Sequence, residues 1–272
     1  MLQGQVINND ELCEIFKCST QGGMRRSYKT NTLVLVSNHV KSIYDDKWIE
    51  NVLHYTGTGK IGDQSITFNQ NHTLNNSNNN GVIVHLFEVF KEREYFYQGI
   101  VKLYADPYQD SQIDETETLR TVWMFPLKLI DNNPAEIDLE LLNSVKEIKI
   151  KKARQISSET LKKIAENKPN RKPGKRKAES ETFERDQNIV EYALRRASGL
   201  CELCENIAPF NKLDGTPFLE VHHIHYLRNG GVDSIDNVCA LCPNCHRKMH
   251  ALNIYTDVEK LKRKAELLLI SY

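Results

Sequence analysis

No stretch of this 272-residue chain is apolar for long enough to cross a bilayer, and the N-terminus lacks the charged-then-apolar pattern of a secretory signal. Net charge is missing too: 36 Lys and Arg stand against 36 Asp and Glu. A neutral balance by itself points to no polyanionic partner, so the distribution of charge has to decide. Cysteine is scarce over most of the length. Five of the seven lie between residues 201 and 245, and Cys13 and Cys18 read as thiols rather than a disulfide. These absences together predict a reducing, cytoplasmic setting. A nucleotide-phosphate loop is also absent. Gly57-Thr-Gly-Lys-Ile-Gly62 fits G-x-G-x-x-G, but the following Asp63-Gln-Ser-Ile-Thr-Phe68 has no helical period. Nor is it a P-loop, since His54 stands where the first glycine belongs and Ile61 follows Lys60. Nucleotide hydrolysis is therefore not expected.

What the chain does have is concentrated between Cys201 and His250. Two Cys-x-x-Cys pairs, Cys201/Cys204 and Cys242/Cys245, have the spacing that lets one turn point two thiolates at a tetrahedral zinc. Four thiolates close such a site, so the nearby histidines are surplus to it. His246 and His250 sit at i and i+4 behind Pro243, which puts both imidazoles on one face of a helix opened by that proline. His222 and His223 fall in Phe218-Leu-Glu-Val-His-His-Ile224, which reads as a strand, so they point to opposite faces and play different parts. Cys239 lacks a suitably spaced partner other than Cys242 and reads as a small buried side chain.

Leu219-Glu-Val-His-His-Ile224, Gly230-Gly231, Asp236-Asn237 and Leu241-Cys-Pro-Asn-Cys-His246 with His250 resemble the HNH nuclease motif of McrA-like restriction enzymes, over residues 183–272. The resemblance implies a zinc-stapled hairpin-and-helix (ββα-metal) domain. It also implies His223 as general base, Asn237 as the residue that orients it, and His222, His246 and His250 as the face for a catalytic Mg²⁺ or another divalent cation. Cys201, Cys204, Cys242 and Cys245 would hold the structural Zn²⁺. Imidazole titrates near neutral pH, which suits a base that takes a proton from water.

Residues 1–130 read as β-rich. Runs 32–37, 82–90, 94–104 and 120–130 are β-branched or aromatic, with Pro126 marking an edge or bulge, and Asn69 to Gly81 is an Asn-rich loop. Several strands with few helical periods predict a curved sheet or barrel. Tyr55-Thr-Gly-Thr-Gly59, Asp63-Gln64, Asn71-x-x-Leu74-x-x-Ser77, Tyr97-Gln-Gly99 and Phe125-Pro-Leu-Lys-Leu-Ile130 resemble, in order, the SRA (SET- and RING-associated) domain. Tyr97-Gln-Gly99 departs from that family's Tyr-Asp-Gly. The short segment between Tyr-Thr-Gly and Asp-Gln is similar to the bacterial branch fused to HNH nucleases.

The resemblance implies recognition of modified cytosine, 5-methyl or 5-hydroxymethyl, by extruding it from duplex DNA. An everted base needs aromatic faces to replace lost stacking and polar groups for its edge. Tyr44 and Tyr55 are the candidate sandwich, with Thr56 beside the modified carbon. Asp45 and Asp46 both qualify as acceptor for the N4 amine. Asp46 is favoured because an extended segment puts it on the face of Tyr44. Trp48 either packs behind the pocket or lines it.

Between Lys146 and Lys177, 13 Lys and Arg face three Glu, a local excess of +10 that the rest of the chain offsets. Asn133-Pro134 can open a helix through Ile137, Leu141, Val145 and Ile148, and residues 168–177 read as a basic tether able to rest on phosphates. The helical period of residues 183–197 ends before Gly199, and Thr256 with Glu259 forms a capping box for a last helix. The expected organisation is α+β: an SRA-like domain over 1–132, a helical and basic linker over 133–182 and an HNH domain over 183–272. The resemblance implies a restriction endonuclease that depends on DNA modification, with duplex DNA as partner, no membrane, and a homodimer for double-strand cleavage. Two competitors are an HNH nuclease acting on bare DNA and a reader that does not cut.

Overall fold

The computed structural model describes residues 1–116, 118–130, 133–166, 177–179 and 183–269. They fall into two compact units, Met1–Ser180 and Glu181–Tyr272. The first carries β1 (Val6–Ile7), α1 (Asn9–Phe16), β2 (Met24–Ser27), β3 (Thr32–Asn38), β4 (Lys47–Ile49), β5 (Val52–Thr56) and α2 (Asn69–Asn75). It continues with β6 (Ile83–Lys91), β7 (Glu94–Leu103), β8 (Tyr108–Ile113), β9 (Leu119–Leu129), β10 (Ile137–Asp138), α3 (Leu139–Gln155), α4 (Ser158–Glu166) and β11 (Ala178–Glu179).

Nine strands form one curved sheet in the order β2-β3-β6-β7-β9-β5-β4, with β1 on β7 and β8 on β9. Only the β3–β6 pairing in it is parallel. The path ends at β2 and β4 without joining, so the sheet is open. β3 shows why its sequence is a continuous apolar run. Leu33 and Leu35 join Trp48, Leu53, Tyr55 and Phe125 in one buried cluster, while Val34 and Val36 join Leu12 and Phe16 of α1 in another. Strand alternation thus serves two cores at once. Pro126 is paired with His54 of β5, but its carbonyl accepts from the Tyr104 amide on the other side of β9. That side is the gap between the residues paired with β8 (to Met124) and with β7 (from Leu127), so its missing N–H interrupts no ladder.

Two local expectations are corrected in this unit. Asn69 to Gly81 is not all loop: α2 forms because Leu74 packs into the first cluster and Asn71 is buried in loop contacts, overriding a weak helical propensity. The helix after Asn133 starts only at Leu139, because the Asp138 side chain accepts from the Glu140 amide. Ile137 pairs with Ala178 instead, and Val145 of α3 packs with Phe90 and Ile137. Residues 168–176 of the basic tether lie outside the described residues.

The second unit carries α5 (Gln187–Ala197), β12 (Glu220–His223), β13 (Val238–Leu241), α6 (Pro243–Leu252) and α7 (Tyr255–Leu269). β12 and β13 form an antiparallel hairpin, with His223 opposite Val238. Its core joins Cys201, Leu203, Leu219, Ile224, Leu241 and Met249 to Leu261 and Ala265 of α7. α7 begins before Thr256, since the Asp257 and Val258 amides both donate to the Ile254 carbonyl, which puts the expected capping pair inside the first turn. Among the described residues no helix is long and apolar enough to cross a membrane.

Candidate functional site

The second unit holds two separate clusters of metal-ligating groups. In the first, the sulfurs of Cys201, Cys204, Cys242 and Cys245 lie within 4.8 Å of one another. Cys242 is the N-cap of α6, and Pro243 occupies its first turn. The helix N-terminus is thereby tied to the Cys201–Cys204 knuckle. Burial raises the Cys201 thiol, but the Cys204, Cys242 and Leu203 amides outweigh it and bring it down to about 7. Burial and the crowded neighbouring thiols push Cys242 and Cys245 up. Such a quartet carries its negative charge comfortably only around a cation. Cys239 stays out of it, buried with its sulfur on the His222 carbonyl.

In the second cluster, one ring nitrogen each of His222, His246 and His250 lies within 4.8 Å of the other two. α6 brings the two helical imidazoles to one face, with ring centroids 4.7 Å apart, and the end of β12 brings His222 to 5.2 and 4.9 Å from them. The donor set is prepared for an ion. His222 is buried, yet its Nε2 has no hydrogen-bond partner. Burial, then His250 and His246, lowers its pKa to about 3, so the ring is neutral, the form that ligates. His246 Nδ1 is hydrogen-bonded to Glu220 Oε2, which leaves the lone pair on Nε2, 3.0 Å from His250 Nε2. Tyr226 stacks flat on His250 at 5.3 Å and donates to the Met249 carbonyl. An orphaned buried nitrogen beside a carboxylate-steered imidazole and a third ring fits a divalent cation.

His223 lies outside that cluster but lines the same cavity. Its Nε2 is 2.8 Å from Asp233 Oδ1, and that bond is the first cause of the lowered Asp233 pKa. An ionised carboxylate only accepts, so Nε2 carries a proton and is the donor to Asp233. Asn237 does not make the bond to the His223 ring. It accepts from the His225 amide at 2.8 Å and donates to the carbonyls of His225 and Val232, stapling the loop between the strands. Gly231 is needed in that loop: a Cβ there would sit 2.1 Å from the His225 carbonyl oxygen. Both histidines, with His246 and His250, open onto a cavity of about 470 Å³.

In the first unit, Tyr44, Tyr55 and Thr56 line one cavity of about 570 Å³, within the range of small-molecule sites. Tyr55 is buried and donates to the Gly23 carbonyl at 2.7 Å; the half-buried Tyr44 donates to Gly59. The rim is held by the polar residues of the sequence motif. Gln64 donates to the Gly57 carbonyl and accepts from the Trp123 amide, and Asn71 bonds both the amide and the carbonyl of Thr58. Gly57 leaves them room, since a Cβ would come 2.8 Å from Gln64 Oε1. The Gly57–Gly62 stretch is therefore rim loop and opens no helix.

Asp46 stands behind the wall, not on it. Its Oδ1 accepts from the Thr56 amide at 2.7 Å, and burial pushes its carboxyl above the ordinary value. Asp45 pairs with Lys149. Trp48 packs in the core beneath, its Nε1 donating to Glu88. The structure thus brings Tyr44, Tyr55 and Thr56 together, and leaves Asp46 and Trp48 off the wall.

Two functional side chains escaped the sequence reading. Glu220 was within reach of it, because it lies two residues before His222 on the same strand face. Asp233 carried no such signal: it comes from a loop ten residues beyond His223.

A curved SRA-type sheet joined in one chain to a unit with adjacent Cys₄ and His₃ clusters defines an SRA–HNH protein. Residues 3–147 match the family model described as ScoMcrA-like, SRA domain, and residues 201–252 match the HNH endonuclease model. The chain belongs to the ScoMcrA-like SRA family. It is 40% identical over 96 residues to the type IV methyl-directed restriction enzyme EcoKMcrA of Escherichia coli (strain K12), a stretch covering 35% of each protein. The match therefore spans about a third of that relative. Among solved structures, the type IV phosphorothioation-dependent restriction endonuclease ScoMcrA aligns over 100% of this chain and 64% of its own, at 18% identity and a TM-score of 0.41. The modification-dependent restriction endonuclease TagI aligns over 92% of this chain and 78% of its own, at 18% identity and a TM-score of 0.39.

Proposed function

We propose that the protein is a modification-dependent DNA endonuclease, in which the first unit selects a modified cytosine and the second hydrolyses a phosphodiester bond. The observation that carries the reading is the single cavity onto which the His222/His246/His250 cluster and the Asp233-bound His223 both open. We assign zinc to the four cysteines and a divalent cation such as Mg²⁺ to the three histidines. The latter, when bound, supplies a Lewis acid that neutralises charge on the phosphoryl and leaving oxygens. His223 Nδ1 takes the proton of the attacking water as its oxygen bonds phosphorus and the bond to the leaving oxygen breaks. Asp233 keeps the other ring proton in place and stabilises the imidazolium. Asn237 holds the loop that carries Asp233.

In the first unit, Tyr44 and Tyr55 supply faces for an everted cytosine and Thr56 meets its 5-substituent. Asp46 fixes Thr56 through its backbone amide. Digestion of duplexes that differ only in cytosine modification tests this half. Wild type should nick 5-methyl or 5-hydroxymethyl DNA and spare bare DNA. Tyr44→Ala, at a half-buried position, should cut that preference about 5- to 150-fold, the equivalent of one lost base–aromatic stack. Equal cleavage of bare and modified duplex by wild type would leave a plain HNH nuclease. Each chain carries one such site, so a double-strand break implies two protomers. Light scattering of the protein on cleaved substrate should show a dimer, and a monomer alone would remove that part.

A further inference from the structure

We propose that Arg185 contacts the scissile phosphate and stabilises the charge that develops on it; this rests on the endonuclease reading above. Arg185 is exposed and lines the same cavity as His222, His223, His246 and His250. It lies on the segment leading into α5, and that segment is pinned at three points. The Arg185 guanidinium donates to the carbonyl of Val221, the residue before the two strand histidines, at 3.2 Å. The Asp186 amide donates to Asp233 Oδ2 at 2.7 Å, and the Asp186 side chain caps α5 by accepting from the Asn188 amide. One carboxylate therefore bridges two functions, with Oδ1 on the His223 ring and Oδ2 on the backbone beside Arg185. Any arrangement that orients the base also sets the arginine arm.

A guanidinium has five N–H donors. Arg185 uses one on Val221, and among the described residues it forms no ion pair. The contrast with Arg196 in the same unit is direct: that side chain is buried and forks onto both oxygens of Glu202, a structural pair. Arg185 instead makes no direct ion pair among the described residues and faces a cavity whose nearby carboxylates, Glu220 and Asp233, are bonded to His246 and His223, although its charge also helps hold Asp233 ionised. An oxyanion with two or more acceptor oxygens complements that wall, and a phosphodiester has this chemistry. A donor already in place before charge develops needs no reorganisation during the reaction.

The test compares wild type, Arg185→Ala and Arg185→Lys as full-length, zinc-loaded proteins. Nicking is measured at saturating modified DNA with Mg²⁺ or Mn²⁺, and DNA affinity without divalent ions. Arg185→Ala should slow nicking about 100- to 1,000-fold, the range for removing one transition-state donor, with affinity changed far less. Arg185→Lys should fall between, since a point charge cannot fork. Millimolar guanidinium should restore part of the alanine variant's rate and leave wild type unchanged. A loss without rescue would mean that the side chain only props the strand edge, and the proposal would be overturned. Nicking by Arg185→Ala within about threefold of wild type would overturn it too, leaving the endonuclease reading intact. Wild type that nicks no DNA with any divalent ion would end both.

Discussion

Replacing Cys204 by alanine should unfold residues 181–272 while the nine-stranded sheet unit stays folded. Cys204 is exposed, so the substitution removes little packing. What it removes is one corner of the thiol quartet that ties the Cys201 knuckle to the start of α6. The hairpin beneath has two four-residue strands, too little to persist alone in water. A structural zinc contributes on the order of 10–16 kcal/mol at neutral pH, and a whole domain is stable by only about 5–15 kcal/mol. Loss of such an ion would thus match or exceed everything else holding the unit. The two units can be read separately, because both tryptophans, Trp48 and Trp123, lie in the first. Tryptophan emission should stay native while the far-ultraviolet signal loses the helices of the second unit. A chelator should reproduce the effect in wild type. A variant that keeps its full helical signal after the metal is stripped would refute the structural role of the quartet.

His223→Ala should abolish most nicking without weakening DNA binding. General-base catalysis by a positioned side chain contributes about 10²–10⁴-fold, and the rate should fall by that factor. The His₃ cluster keeps all its ligands after the change, because His223 is not one of them and bonds Asp233 instead. Metal affinity of the variant should therefore equal that of wild type, measured by titration of Mn²⁺ against the full-length protein. His222→Ala should differ in kind, losing nicking together with metal affinity, since it removes the buried nitrogen that has no other partner. Should His223→Ala cut within tenfold of wild type, the base would have to be sought elsewhere in the cavity.

Much of this chemistry was legible in residue spacing. Cys-x-x-Cys twice, two imidazoles one helical turn apart behind a proline, and adjacent strand histidines each confine side chains to a known geometry, because helix and strand periods are local properties of the backbone. The same holds for β3, β6, β7 and β9, whose apolar runs show where the sheet is. Partner choice was not legible. Asp233 rather than Asn237 reaches the His223 ring and Asp46 lies behind Thr56, because each depends on how an irregular loop closes over a distance no period governs, and Trp48 of β4 turns into the core rather than the pocket. α2 belongs with these, since Leu74 and Asn71 form a helix only once a core and a rim exist to receive them. Sequence alone therefore determined which atoms are available for metal and proton transfer. Tertiary structure decided which carboxylate steers which imidazole, since a hydrogen bond needs its two groups within about 3 Å and only the folded loops bring them there.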